Sequence, residues 1–295
     1  MEKNNYKEVQ KILAIILVAN LLVAGLKILV GTIIKSTSMT ADGFHSVSDG
    51  ASNVIGLIGI HFASKGRDKE HPYGHSKYET LAGLFISLML FIAGGNVILA
   101  AIEKFRNPVM PEVTTMSLLA LVFTLIVNIV VSNIEYRKGK ELNSQILISD
   151  SMHTRSDVYI SLGVLATLIA IKLGLPIWID PLASLVVAAF IIQAAYEIFR
   201  NNSHILLDGE AIDSEDIREV VMSFEEVKDV HKIRSRSSIN IVNVDLHLVV
   251  DPELDVEESH KLTHDIEDAI RDKFDENLQL IAHLEPHEDS TESSE

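Results

Sequence analysis

The chain has 295 residues with a positive mean hydropathy and no cysteine, which excludes a disulfide framework and any thiolate metal site. Residues 1–207 hold 17 basic and 15 acidic side chains, a net of +2, whereas residues 208–295 hold 8 basic and 26 acidic ones, a net of −18. So acidic a region repels phosphate, and nucleic acid is excluded as a partner.

The amino-terminal segment Met1–Lys11 is polar and of mixed charge, and the apolar run after it lacks a small-residue cleavage pattern, so it reads as a retained first span. Six stretches are long and apolar enough to cross a bilayer: 12–34, 40–63, 80–102, 114–135, 145–171 and 178–199. Basic residues cluster at Lys3, Lys7 and Lys11, at Lys65, Arg67, Lys69 and Lys77, at Arg137, Lys138 and Lys140, and at Arg200. That side is expected in the cytoplasm, so both termini face inward and the protein is a multi-pass protein of the cell membrane. Beyond residue 207 the pattern changes to a helix over 213–226, strands over 227–234 and 239–250, an amphipathic helix over 256–274 and a strand over 278–284. The expected fold class is an all-α membrane domain of six transmembrane helices (1–207), then a small cytosolic α/β domain of order α-β-β-α-β (208–287). Residues 288–295 form a disordered polar tail.

Ionisable groups inside spans are costly and functional by default. The second span carries His45-Ser-Val-Ser-Asp49 and the fifth carries His153-Thr-Arg-Ser-Asp157. Residues four apart share a helix face, so each span offers one imidazole and one carboxylate on one side. If the faces meet, two His and two Asp converge as a tetrahedral N/O set suited to Zn²⁺, with two negative charges to neutralise the dication. Asp42 and Asp150, a turn earlier, read as entrance residues or local caps, and Arg155 lies on another face, facing a carboxylate or a lipid headgroup. Between spans two and three, Asp68, His71 and His75 can bring one carboxylate and two imidazoles to one ion, or form a solvated loop.

The segment Ala41–Asp49, the loop His71-Pro72-Tyr73-Gly74-His75-Ser76-Lys77-Tyr78-Glu79 and the pair His153 and Asp157 together resemble the cation diffusion facilitator family, in its zinc-transporting branch, over nearly the whole chain. The resemblance implies a homodimer that exports Zn²⁺ or related ions (Cd²⁺, Fe²⁺, Mn²⁺) against inward proton flow, with a metallochaperone-like carboxyl-terminal domain. It implies a loop metal site at Asp68, His71 and His75. It also implies a cytosolic site built from His231, His247, His260, His283 and Glu285, where Zn²⁺ acts as a structural or regulatory ion and no cofactor is needed. Lys77 and Asp208 fall at the same membrane boundary and pair with each other or with nearer partners such as Glu79 and Glu210. A metalloenzyme is disfavoured by the absence of an H-E-x-x-H motif and by a tetrad that leaves no open position for water. A sensor that binds without transport would not need its ligands in the membrane.

Overall fold

The computed structural model describes residues 3–33, 37–107, 115–173, 176, 178–238, 241–274 and 277–287, with the side chains of 3, 4, 27, 30, 31, 33, 37–49, 115–117, 120, 164, 168, 171, 172 and 180 outside that description. The expected tail 288–295 also lies outside it. Two compact units divide between Ser203 and His204.

The first unit contains, among the described residues, six long helices: α1 (Lys3–Ile33), α2 (Thr37–Ala63), α3 (Lys77–Arg106), α4 (Thr115–Glu141), α5 (Gln145–Lys172) and α6 (Ile179–Leu206). By length and composition, the stretches Asn5–Leu26, Lys77–Arg106 and Pro181–Leu206 are apolar enough to cross a membrane, and Gly50–Ala63 is a shorter apolar stretch. Helices α4 and α5 carry the polar groups that matter below, Glu135 in α4 and Asp150, Arg155 and Asp157 in α5. The outer surface is apolar: Leu22, Ile92, Leu99 and Leu119 are each mostly exposed. That arrangement suits a hydrocarbon solvent, where every backbone polar group is satisfied inside its own helix.

Close approach sets the helix pairs. Gly59 of α2 lies so near α3 that an added Cβ would collide with the Ala82 Cβ. The α4–α5 turn is equally tight, with Ser144 N bonded to the Gly139 carbonyl at 2.8 Å and Asn143 in the left-handed region at φ 50°. Glu79 of α3, fully buried, then caps the start of α5: it accepts from Ser144 Oγ at 2.5 Å and from Ile146 N at 3.2 Å. Its carboxylate thus satisfies donors that the first turn of a helix leaves open and complements the positive end of the helix dipole.

The second unit contains α7 (Ser214–Val221), β1 (Val227–Ser238), β2 (Ile241–Val250), α8 (Val256–Lys273) and β3 (Leu278–Pro286). Helix α7 is shorter than the expected 213–226, because the chain turns at Met222–Glu226 to enter β1. Strand β1 runs longer than expected, through a register irregularity after His231 where Lys232 takes φ 50°. The sheet order is β1-β2-β3, antiparallel between β1 and β2 and parallel between β2 and β3, which requires the α8 crossover. Alternation along β2 turns Val244, Leu246 and Leu248 to one face, where they bury against Ile217 and Val221 of α7 and Ile266 and Ile270 of α8. Asp213 caps α7, and Asp255 with Glu258 forms a capping box on α8. The opposite face of the sheet carries the histidines.

Candidate metal centres

In the membrane unit, α5 presents His153 and Asp157 one turn apart into a small cavity of about 30 Å³ that Ser52 of α2, Asn20 of α1, Thr124 and Asn128 also line. His153 is 7 % exposed, and neither ring nitrogen has a hydrogen-bond partner among the described residues. An imidazole that deep with both nitrogens unsatisfied is costly unless something else uses them. His45 and Asp49 belong to the backbone of α2, but their side chains, like that of Asp42, lie outside the described residues. Helical spacing puts positions 45, 49, 52 and 56 on one side of α2. Of these, Ser52 lines the His153 cavity and Gly56 faces Leu13 and Ile146.

One turn nearer the α4–α5 turn is a polar network that the sequence only hinted at. Asp150 is fully buried rather than an entrance residue, and accepts from Asn53 Nδ2 of α2. Asn53 in turn accepts from Asn20 Nδ2 at 3.0 Å. Glu135 of α4, also fully buried, accepts from Thr154 Oγ1 at 3.0 Å, and its carboxyl group faces that of Asp150. Glu135 Oε1 and Asp150 Oδ1 have no hydrogen-bond partner among the described residues. The signal for Glu135, Asn20 and Asn53 was present: each is a polar residue within or at the end of an apolar run. Their convergence depends on the α4–α5 hairpin and on the α1–α2 packing, which no local spacing reports.

The loop residues Asp68, His71 and His75 come together, with a ligand atom from each within 4.8 Å of the others. Asp68 Oδ1 accepts from the His71 backbone N–H at 2.6 Å and lies 3.2 Å from His71 Nδ1, while Oδ2 lies 3.4 Å from His75 Nε2. The backbone bond from His71, ahead of its imidazole and that of His75, holds the Asp68 carboxyl below the usual carboxylate range. His75 Nδ1 must donate to the Gly66 carbonyl at 3.0 Å, because a carbonyl only accepts. In the neutral ring that leaves the Nε2 lone pair pointing at a carboxylate, an arrangement that a cation between them would relieve. Gly74, at φ 89°, supplies the left-handed turn between the two histidines that a side chain would strain.

In the second unit, cross-strand register places three imidazoles in a row: His231 of β1 opposite His247 of β2, and His247 opposite His283 of β3. Ring centres are 5.3 Å apart for the first pair and 4.7 Å for the second. Glu285, two residues after His283 and on the same sheet face, lies 2.6 Å from His247 Nδ1, 3.2 Å from His231 Nε2 and 3.8 Å from His283 Nε2. The hydrogen bond from His247 keeps the Glu285 carboxyl below its ordinary value. His231, His247 and Glu285 form a compact ligand group, with His283 at its edge. His260 is not brought to it within one chain: it sits on the exposed side of α8, its ring 4.6 Å from that of His264, while α8 packs the other face of the sheet. Asp208 pairs with Arg236 at 3.7 Å, a partner that the sequence reading did not consider.

Residues 13–207 match the cation efflux transmembrane domain, and residues 210–287 match the cytoplasmic domain of cation efflux proteins. Similar proteins include an uncharacterized transporter of Methanocaldococcus jannaschii, 33% identical over 96% of this chain and 99% of its own length. The manganese efflux system protein MneS of Bacillus subtilis is 28% identical over 92% of this chain and 93% of its own. A cadmium, cobalt and zinc/H(+)-K(+) antiporter of the same organism is 29% identical over 87% of this chain and 83% of its own.

Proposed function

The chain belongs to the cation efflux family of membrane transporters, and from that premise we propose that it exports divalent transition-metal ions from the cytoplasm, with Zn²⁺ as the preferred cargo, in exchange for protons. The observation that carries this reading is His153: buried in the membrane unit, one turn from Asp157, with two nitrogens that no described residue satisfies, facing a small polar cavity at the α2 contact. His45 and Asp49 would complete an N₂O₂ set, which matches the tetrahedral preference of Zn²⁺. Six spans with both termini inside would present this set alternately to the two sides. Metal would bind from the cytoplasm, the helices would rock, and protons would take the emptied ligands outside. Imidazoles, with an ordinary pKa of about 6.5, exchange a proton for a metal near neutral pH.

Asp68, His71 and His75 would hold a second, more exposed ion. His231, His247, Glu285 and His283 would bind zinc on the cytosolic domain, with His260 contributing from a second copy in a homodimer. The relatives include cadmium, cobalt and zinc antiport and manganese efflux, so a second reading takes Mn²⁺ as cargo. The buried carboxyls of Asp150 and Glu135 beside the site supply the oxygen donors that a harder ion prefers. The test is metal flux into proteoliposomes with a panel of ions and an internal pH dye. Zinc faster than manganese, with coupled proton movement, is expected. Faster manganese would establish the second reading, and no flux for any divalent ion would refute both.

A further inference from the structure

Arg155 stands between His153 and Asp157 in sequence but on another side of α5, and metal export gives it no task. Its guanidinium carbon lies 4.5 Å from the ring centre of Tyr136 on α4, and Lys140 Nζ lies 5.0 Å from the same ring. Among the described residues neither cation has a carboxylate partner. Both line a crevice of about 600 Å³ between α4, α5 and α6, to which α6 contributes the acid Glu197. Two bases against one acid leave the crevice net positive. Farther from the α4–α5 turn its walls become apolar, with Tyr159 and Phe190 in ring contact at 5.7 Å.

Helical side chains lean toward the amino-terminal end of their helix, which directs Arg155 back toward the α4–α5 turn, where Lys140 lies. A long cationic side chain in a spanning helix reaches for the interface in this way, with its stem along apolar surface and its head at headgroup level. An aromatic ring at that level, here Tyr136, is the usual companion. A planar guanidinium offers paired donors that fit two phosphate oxygens, and an ammonium adds a point charge beside them. The crevice therefore changes from cationic to apolar along its length in the order in which a phospholipid changes from headgroup to acyl chain.

We propose that the α4–α5–α6 crevice is a binding site for an anionic phospholipid, its phosphate held between Arg155 and Lys140 and an acyl chain laid along Tyr159 and Phe190. Net charge selects the lipid: a choline headgroup returns a positive charge to a positive crevice, whereas a glycerol headgroup does not. Glu197 opposes the phosphate and weakens the site. The proposal is independent of which ion is carried, because lipid binding is read without metal or flux.

The experiment is native mass spectrometry of the metal-free full chain in detergent, titrated with dioleoylphosphatidylglycerol or dioleoylphosphatidylcholine. The glycerol lipid is expected to bind at least about tenfold more tightly. Arg155→Gln should weaken it by about tenfold, Lys140→Gln by a similar or smaller factor, and Glu197→Gln should strengthen it. Equal affinity for the two lipids, or unchanged affinity in both Arg155→Gln and Lys140→Gln, overturns the site. If Arg155→Gln does not fold, Lys140→Gln, at an exposed helix end, decides alone. Displacement of the lipid by inorganic phosphate would make this a site for a soluble anion and overturn the lipid assignment. An Arg155→Gln protein that becomes monomeric while binding the lipid as before would place a second copy in the crevice, with the same consequence.

Discussion

Among the described residues His153 is buried with neither nitrogen partnered, whereas His247, at 27% exposed, already lies 2.6 Å from Glu285. Both belong to histidine–carboxylate groups, yet the two are built for different work. In the membrane unit α5 holds the imidazole in a poorly solvated place, so an unpartnered ring is costly and the proton or metal of the proposed cycle would relieve it. The sheet group sits on three hydrogen-bonded strands and water reaches it, so its ligands satisfy one another without an ion. A site that must empty every cycle gains from an unfavourable empty state, and a site that keeps its ion gains from a preformed one.

The sharpest way to break this contrast is to remove one ligand from each group. Asp157→Ala should lower zinc flux by about 100-fold or more while the protein still inserts, because it takes away a charge that neutralises the dication in a low-dielectric site. Initial rates in proteoliposomes check this, and wild-type rates would remove Asp157 from the transport site. His247→Ala should leave flux within a few-fold of wild type, but should abolish zinc stabilisation of a fragment spanning 208–287. For the wild-type fragment that stabilisation is about 2.7 kcal/mol at a free zinc concentration 100 times Kd. Thermal melts with and without zinc measure it, and a fragment that ignores zinc would make the histidine row an ordinary surface.

A smaller effect sharpens the comparison within the membrane. His45→Asp exchanges a single imidazole lone pair for a carboxylate that can bind through one oxygen or two, which suits the larger Cd²⁺. The Zn²⁺/Cd²⁺ rate ratio should fall by about tenfold, a difference of ~1.4 kcal/mol, with zinc transport retained. An unchanged ratio would move selectivity to the surrounding packing.

The smallest expected effect concerns pH in the metal-free fragment. Glu285 has its carboxyl held below the ordinary value in the folded state, chiefly by the His247 hydrogen bond. Its contribution is therefore present above the ordinary carboxylate pKa of about 4.3 and lost as pH falls through the lowered folded value. Glu285→Gln should lower the melting temperature slightly at pH 6 and by less as the pH falls below the ordinary carboxylate range. An effect that does not change with pH would mean that the charge of Glu285 plays no part.

The long apolar runs, the change of composition near residue 207 and the paired His-x-x-x-Asp segments could all be read from the chain, because helix periodicity and bilayer thickness act on consecutive residues. Family resemblance singles out the sheet residues His231, His247, His283 and Glu285. What makes them neighbours, the His231–His247–His283 register, is a property of strand pairing. His260 shows the limit: on the sequence it looked equal to the others, and only the packing of α8 on the far face of the sheet separates it from them. On the sequence Asp150 reads as an entrance residue or local cap, because a single helix start looks polar and exposed in isolation. Its full burial, and its meeting with Glu135 and Asn53, arise where three helices close around it. Local spacing decides which side of an element a residue occupies. Only the packed structure decides what that side faces, since burial and the cost of an unpaired charge depend on atoms far away in sequence.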